Sequence, residues 1–177
     1  MKKKELLNNI VQIANQIVYP SDLATKSYLI FYPTDGYHLS KEQYYAFMDI
    51  LTKIEVLDEV INFDIEFIDN SKEIFDEDIR KFSSFDYSFY KSFPLIFENC
   101  ITDSKLHWSI CIYQDYWGII YGSNELLCEI VKIYDFEKDL KQFREEIILG
   151  IDNIETRERF EKLISLSYVG TKIAGQV

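Results

Sequence analysis

Apolar residues recur along this chain with two periods, and each period marks a class of element. In residues 3–18, Leu6, Leu7, Ile10, Val11, Ala14, Ile17 and Val18 return every three or four positions. That spacing predicts an amphipathic helix, stopped by Pro20. The apolar run from Tyr28 to Tyr32 predicts a strand closed by Pro33, and Thr34-Asp35-Gly36 a turn. Ser40 followed by Gln43 matches a capping box. It opens a helix with Tyr44, Phe47, Met48, Leu51 and Ile54 on its inner face.

Residues 60–68 switch to a period of two. Ile61, Phe63, Ile65 and Phe67 alternate with Asn62, Asp64 and Glu66, the pattern of a strand buried on one face and wet on the other. Residues 69–93 are less regular, first acidic and then aromatic. They suggest a short helix near 72–81 and an irregular segment up to Pro94, with a short strand at 95–99. Residues 106–113 and 116–121 read as a hairpin turning at Gln114-Asp115, without the glycine that a two-residue loop usually requires. Gly118 inside the second strand marks a bulge or a close approach by another group.

Three helices are expected in the C-terminal part, 123–170. Ser123 caps the first, with Leu126, Leu127, Ile130, Val131 and Tyr134 inward. Asp135 caps the second, with Phe136, Leu140, Phe143 and Ile147. Asp152 and Glu155 form a capping box for the third, with Phe160, Leu163 and Leu166. Gly170 and Gly175 flank a loose C-terminus. The order of elements predicts an α+β fold in one domain over 1–177: one antiparallel or mixed sheet with a late β-hairpin, packed by N-terminal helices and a C-terminal helical region.

Composition sharpens this picture. The chain has 177 residues, 30 acids against 19 bases and a net charge of −11, yet it is 47% hydrophobic and 16% aromatic. Acidic tails that stay disordered lack aromatics, so this is a folded acidic domain. AT-rich coding is an alternative source of the Tyr and Phe content, but it does not explain the acidic excess. The charge disfavours nucleic acid and anionic membrane as direct partners and favours a basic protein. Asn8, Asn9, Gln12, Asn15 and Gln16 interrupt any signal-peptide core, and no apolar run is long enough to span a bilayer, which predicts a cytoplasmic protein.

The chemistry-bearing residues form no recognised catalytic set. Cys100, His107, Cys111 and Cys128 are spaced by seven, four and seventeen, with no C-x-x-C pair, so no metal site and no cofactor is expected. Four residues of extended strand separate His107 from Cys111 by more than about 12 Å, too far for a nucleophile and its base. Asp64 and Glu66 share a strand face but lack the neighbouring lysine of a metal-dependent nuclease. No phosphate loop is present. No catalytic residue is therefore assigned.

What remains is the acidic segment. Between Asp58 and Asp78 stand nine carboxylates and a single base, Lys72, and the aromatic stretch Phe82 to Phe93 follows at once. One reading is a solvated face. The other is a docking surface, with acids steering a cationic partner and aromatics supplying anchoring area. On that reading Asp64, Glu66, Asp69, Asp76, Glu77 and Asp78 meet the partner's bases, and Tyr87 and Tyr90 anchor it.

The segment Trp108 to Leu127 (Trp-Ser-Ile-Cys-Ile-Tyr-Gln-Asp-Tyr-Trp-Gly-Ile-Ile-Tyr-Gly-Ser-Asn-Glu-Leu-Leu) resembles the late hairpin-plus-helix of small acidic immunity proteins from bacterial polymorphic toxin systems. The resemblance covers about twenty residues. It implies a non-enzymatic cytoplasmic inhibitor that occludes the active site of a basic toxin domain, a nuclease being the expected class. It carries over no catalytic residues, and it places Trp108, Trp117 and Gly118 in the core. A small-molecule-binding domain or an enzyme with a site built from scattered residues is the alternative.

Overall fold

The computed structural model describes residues 27–54, 60–64, 80–82, 86–96, 98–103 and 107–169, with the backbone alone at 54, 63 and 80–82. The expected helix at 3–18, the region 69–79 and the C-terminal tail lie outside these residues. Six strands form one sheet: β1 (Tyr28–Phe31), β2 (Val60–Asp64), β3 (Arg80–Phe82), β4 (Asn99–Asp103), β5 (Ser109–Tyr113) and β6 (Trp117–Tyr121). Their order is β1-β6-β5-β4-β2-β3, and every pair is antiparallel. The helices are α1 (Lys41–Ile54), α2 (Tyr87–Lys91), α3 (Asn124–Ile130), α4 (Phe136–Glu146) and α5 (Ile154–Leu166). The fold is α+β. Among the described residues no helix is long and apolar enough to cross a membrane.

Register assigns side chains to faces. Phe31 lies opposite Gly118, and Ile112 lies opposite it on the other side, so these positions share one face with Leu29, Ile110 and Ile120. On this face α1 packs, with the Phe31 and Phe47 rings edge-on at 5.3 Å. Of the two readings of Gly118, a bulge or a close approach, the second holds, since its register with Ile112 is unbroken. A Cβ there would stand 2.2 Å from the Phe31 ring and 2.7 Å from the Cys111 carbonyl oxygen. The opposite face carries Tyr28, Trp117 and Ile119. There Trp117 meets Phe143 of α4 at 5.3 Å and Phe160 of α5 at 5.7 Å. Tyr28 donates its hydroxyl hydrogen to the Leu163 carbonyl at 2.6 Å.

Helix starts follow the capping residues. Ser40 and Gln43 form a reciprocal box: the Ser40 amide donates to Gln43 Oε1 at 2.9 Å, and the Gln43 amide donates to Ser40 Oγ at 3.2 Å. Ser123 and Asp135 cap α3 and α4 as expected. The cap of α5 is Asn153 rather than Asp152, its Oδ1 accepting from the Thr156 amide.

Further expectations are corrected. β2 is described over Val60–Asp64, the rest of the expected strand 60–68 lying outside the described residues, and its polar side there is not wet, since Asn62 is fully buried and Asp64 is only 4% exposed. Residues 80–82 are a strand, not the end of a helix, because Val60 to Asn62 pair with them. The segment before Pro94 contains α2, capped by Asp86, whose Oδ1 accepts from the Ser88 amide. The strand expected at 95–99 begins only at Asn99. The hairpin turn is also longer than foreseen. Gln114–Tyr116 form a three-residue loop, with Asp115 and Tyr116 at φ 65° and 60°. The Thr34 amide donates to the Tyr116 carbonyl at 2.7 Å and holds that backbone in place.

Among the described residues β1 lies at the edge of the sheet, and a side chain meets the amide just past its end. Asp139 of α4 accepts from the Tyr32 amide and from the Tyr134 hydroxyl, both at 2.9 Å. An unpaired edge amide is thereby satisfied and screened from another chain.

Candidate protein interface

The short helix α2 organises the region that the sequence singled out. Tyr90 turns inward and is fully buried. It stacks on Tyr44 of α1 at 5.0 Å, and its hydroxyl oxygen accepts from the Leu39 amide at 2.7 Å. Burial drives its phenol far above the ordinary range. Tyr90 is therefore a core strut that pins α2 to α1 and to the turn before α1, and not the anchor expected. Tyr87 is half-buried, packed against Tyr44 and Tyr45, and its phenol is raised by burial and by the Asp35 charge. His38 donates from Nε2 to the Phe93 carbonyl at 3.0 Å and meets Tyr90 edge-on.

Asp64 does not stand on a surface either. It lies opposite Asn99 in register and is buried. Neighbouring Asn62 donates to Asn99 Oδ1 at 2.8 Å, and Asn99 donates to the Tyr37 carbonyl at 2.9 Å. This polar ladder ties the sheet to the turn at Asp35–His38. Glu66, Asp69, Asp76, Glu77 and Asp78 lie outside the described residues.

What the fold does expose is a run of aromatics and acids on neighbouring elements. Tyr45 is 50% exposed on α1, flanked by the exposed Glu42 and Asp49. Its ring touches Tyr87, which follows the exposed Asp86. Phe89 is 40% exposed and packs edge-on against Phe93. Lys91 closes α2 and pairs with Asp35 at 2.6 Å, which holds the Asp35 carboxyl below its ordinary range. From the same turn, Tyr37 reaches the ring of Tyr116, 53% exposed at the hairpin tip beside the exposed Asp115. Contacts thus link α1, α2, the turn and the hairpin tip into one aromatic belt, bordered by Glu42, Asp86 and Asp115 and by Asp35 and Asp49, which pair with Lys91 and Lys53.

The sequence reading missed Tyr45, Glu42 and Tyr116, and it held Phe89 only as part of the stretch Phe82 to Phe93. One signal was available. Tyr45 falls outside the helical stripe of Tyr44, Phe47, Met48 and Leu51 and has acids three before and four after it. An aromatic on the polar side of a helix is an exposed aromatic.

The other candidate groups resolve structurally. His107 receives its place from Asp103, which accepts from the His107 amide at 2.7 Å and lies 2.8 Å from Nδ1. Cys100 and Cys111 face each other in the sheet interior. Among the described residues no three or more His, Cys, Asp or Glu side chains gather as a metal site.

Fold and surface together define an α+β protein with exposed aromatics bordered by acids. No protein-family model matches the chain, and neither a curated protein nor a solved structure matches it. The likeness of residues 108–127 to immunity proteins stands on the sequence alone.

Proposed function

We propose that this protein is a non-enzymatic protein-binding inhibitor: an immunity protein that neutralises a basic toxin domain of nuclease type. The observation that carries this reading is the exposure of Tyr45 and Phe89 beside half-buried Tyr87, with Glu42 and Asp86 at their margins. Tyrosine and phenylalanine supply contact area at low conformational cost, and surrounding acids steer and select a cationic partner. The net charge of −11 acts in the same direction at longer range. Relative to the sequence expectation, the described part of this surface moves from Asp64 and Tyr90 to α1, the outward side of α2 and the hairpin tip. Tyr87 is common to both.

The test starts from affinity capture in native host lysate at low and high salt, followed by binding of the captured protein to purified variants. A basic protein retained at low salt and weakened at high salt is the expected result. Its affinity should fall when Glu42→Gln and Asp86→Asn are combined, and its toxicity should be suppressed by co-expression of the wild-type chain. Capture that ignores salt and these two changes would remove the reading.

A further inference from the structure

We propose that Cys100 and Cys111 are a reversible dithiol–disulfide pair that staples the two central strands of the sheet. They occupy directly opposed positions of antiparallel β4 and β5. Opposed residues in such a pair have Cα atoms roughly 4.5–5.5 Å apart, within the span of about 4.4–6.8 Å that a disulfide bridges. Their Sγ atoms stand 3.1 Å apart, Cys111 donating its S–H to Cys100. Both side chains are fully buried, so the rotamers that bring the sulfurs together are fixed by packing. The third cysteine, Cys128, is half-buried on α3 and belongs to a different element.

The position has a structural consequence. Two residues before Cys100, Glu98 accepts from the Gln114 amide at 2.9 Å. Two residues after Cys111, Tyr113 stacks on Trp117 at 4.5 Å and begins the hairpin tip. A covalent link at this point fixes the base of the loop that presents Asp115 and Tyr116. The inference does not depend on the proposed partner.

The oxidant is a peroxide, a neutral molecule small enough to reach the pair when the strands open locally. One thiolate attacks a peroxide oxygen, the O–O bond breaks, and a sulfenic acid and one water result. The second thiolate attacks the sulfenic sulfur, the S–S bond forms, and the hydroxyl leaves as a second water. Two thiols lose two protons and two electrons, and the peroxide gains them. Burial holds the Cys100 thiol protonated in the closed state, so the reaction runs at the rate of opening.

The experiment treats the folded full chain carrying Cys128→Ser with dilute hydrogen peroxide at neutral pH, then blocks thiols and reads intact mass and linked peptides. The expected product is about 2 Da lighter, carries a 100–111 link, regains two free thiols with dithiothreitol and melts at higher temperature than the reduced form. Cys111→Ala in the same background abolishes the mass loss. Two outcomes overturn the proposal. One is gain of about 16 or 32 Da at either cysteine without a link. The other is two thiols that stay unreacted until the protein is unfolded.

Discussion

Gly118 and Asp139 show how single residues set this fold. Gly118 leaves room for the Phe31 ring, and any Cβ would strike ring carbons and the Cys111 carbonyl at once. The ring also packs edge-on against Phe47 in the buried core, which limits its freedom to retreat. Gly118→Ala should lower stability by roughly 1–3 kcal/mol in urea titration. Adding Phe31→Leu should recover part of that loss, a coupling that two independent sites would not show. Asp139 is buried between Tyr32 and Tyr134, and burial pushes its carboxyl from 3.8 up to about 6 against the opposing hydrogen bonds. The folded state therefore holds this proton more tightly than the unfolded chain. The contribution to stability is full below pH 4 and is lost as pH rises to about 6. Asp139→Asn keeps an acceptor for the Tyr32 amide but has nothing to titrate. Relative to wild type, the variant should gain stability between pH 4 and pH 6.5 in paired urea titrations; a constant difference would contradict the assignment.

Elements here are bounded by local chemistry and aimed by tertiary contacts. The Ser40–Gln43 box satisfies two amide donors at the start of α1, and Gln43 also donates from Nε2 to the Pro33 carbonyl at 3.0 Å. Ser40→Ala should cost about 1 kcal/mol. Gln43→Ala should cost more, because the Pro33 carbonyl and the Ser40 amide both lose their partner. The double variant should be less destabilised than the sum, which thermal and urea unfolding can measure. This box, and the caps at Ser123 and Asp135, were legible because the capping residue and the amides it serves are adjacent in sequence. α2 was not legible. It is a single turn whose existence rests on Tyr90 reaching Tyr44 and Leu39, partners more than forty positions away. The strand at 80–82 was hidden for the same reason, since its pairing partner is β2.

At the scale of the whole molecule, the charge and the exposed aromatics belong together. Tyr45 and Phe89 contribute little to the core, so Tyr45→Ala with Phe89→Ala should leave the melting temperature within a few degrees of wild type. The same pair should weaken partner binding by at least roughly tenfold if these rings anchor it. Unchanged affinity with the fold intact would move the interface elsewhere. Raising salt should weaken association chiefly through a slower on-rate, as expected for charge steering.

The sequence by itself determined the α+β class, the β1 strand, the start of α1, the β5–β6 hairpin and the caps of α3 and α4. All of these follow from periods, caps and turns that act over a few residues. Only the tertiary structure decided which polar positions meet water. Alternation along β2 promised a wet face, but Asn62 and Asp64 share the face of Leu29 and Phe31, on which α1 packs, and both are buried. Tyr87 and Tyr90 are three apart on one turn of helix and both pack against Tyr44 of α1, yet Tyr90 is fully buried and Tyr87 only half-buried. Burial is a property of what lies opposite a residue, and no local pattern records that.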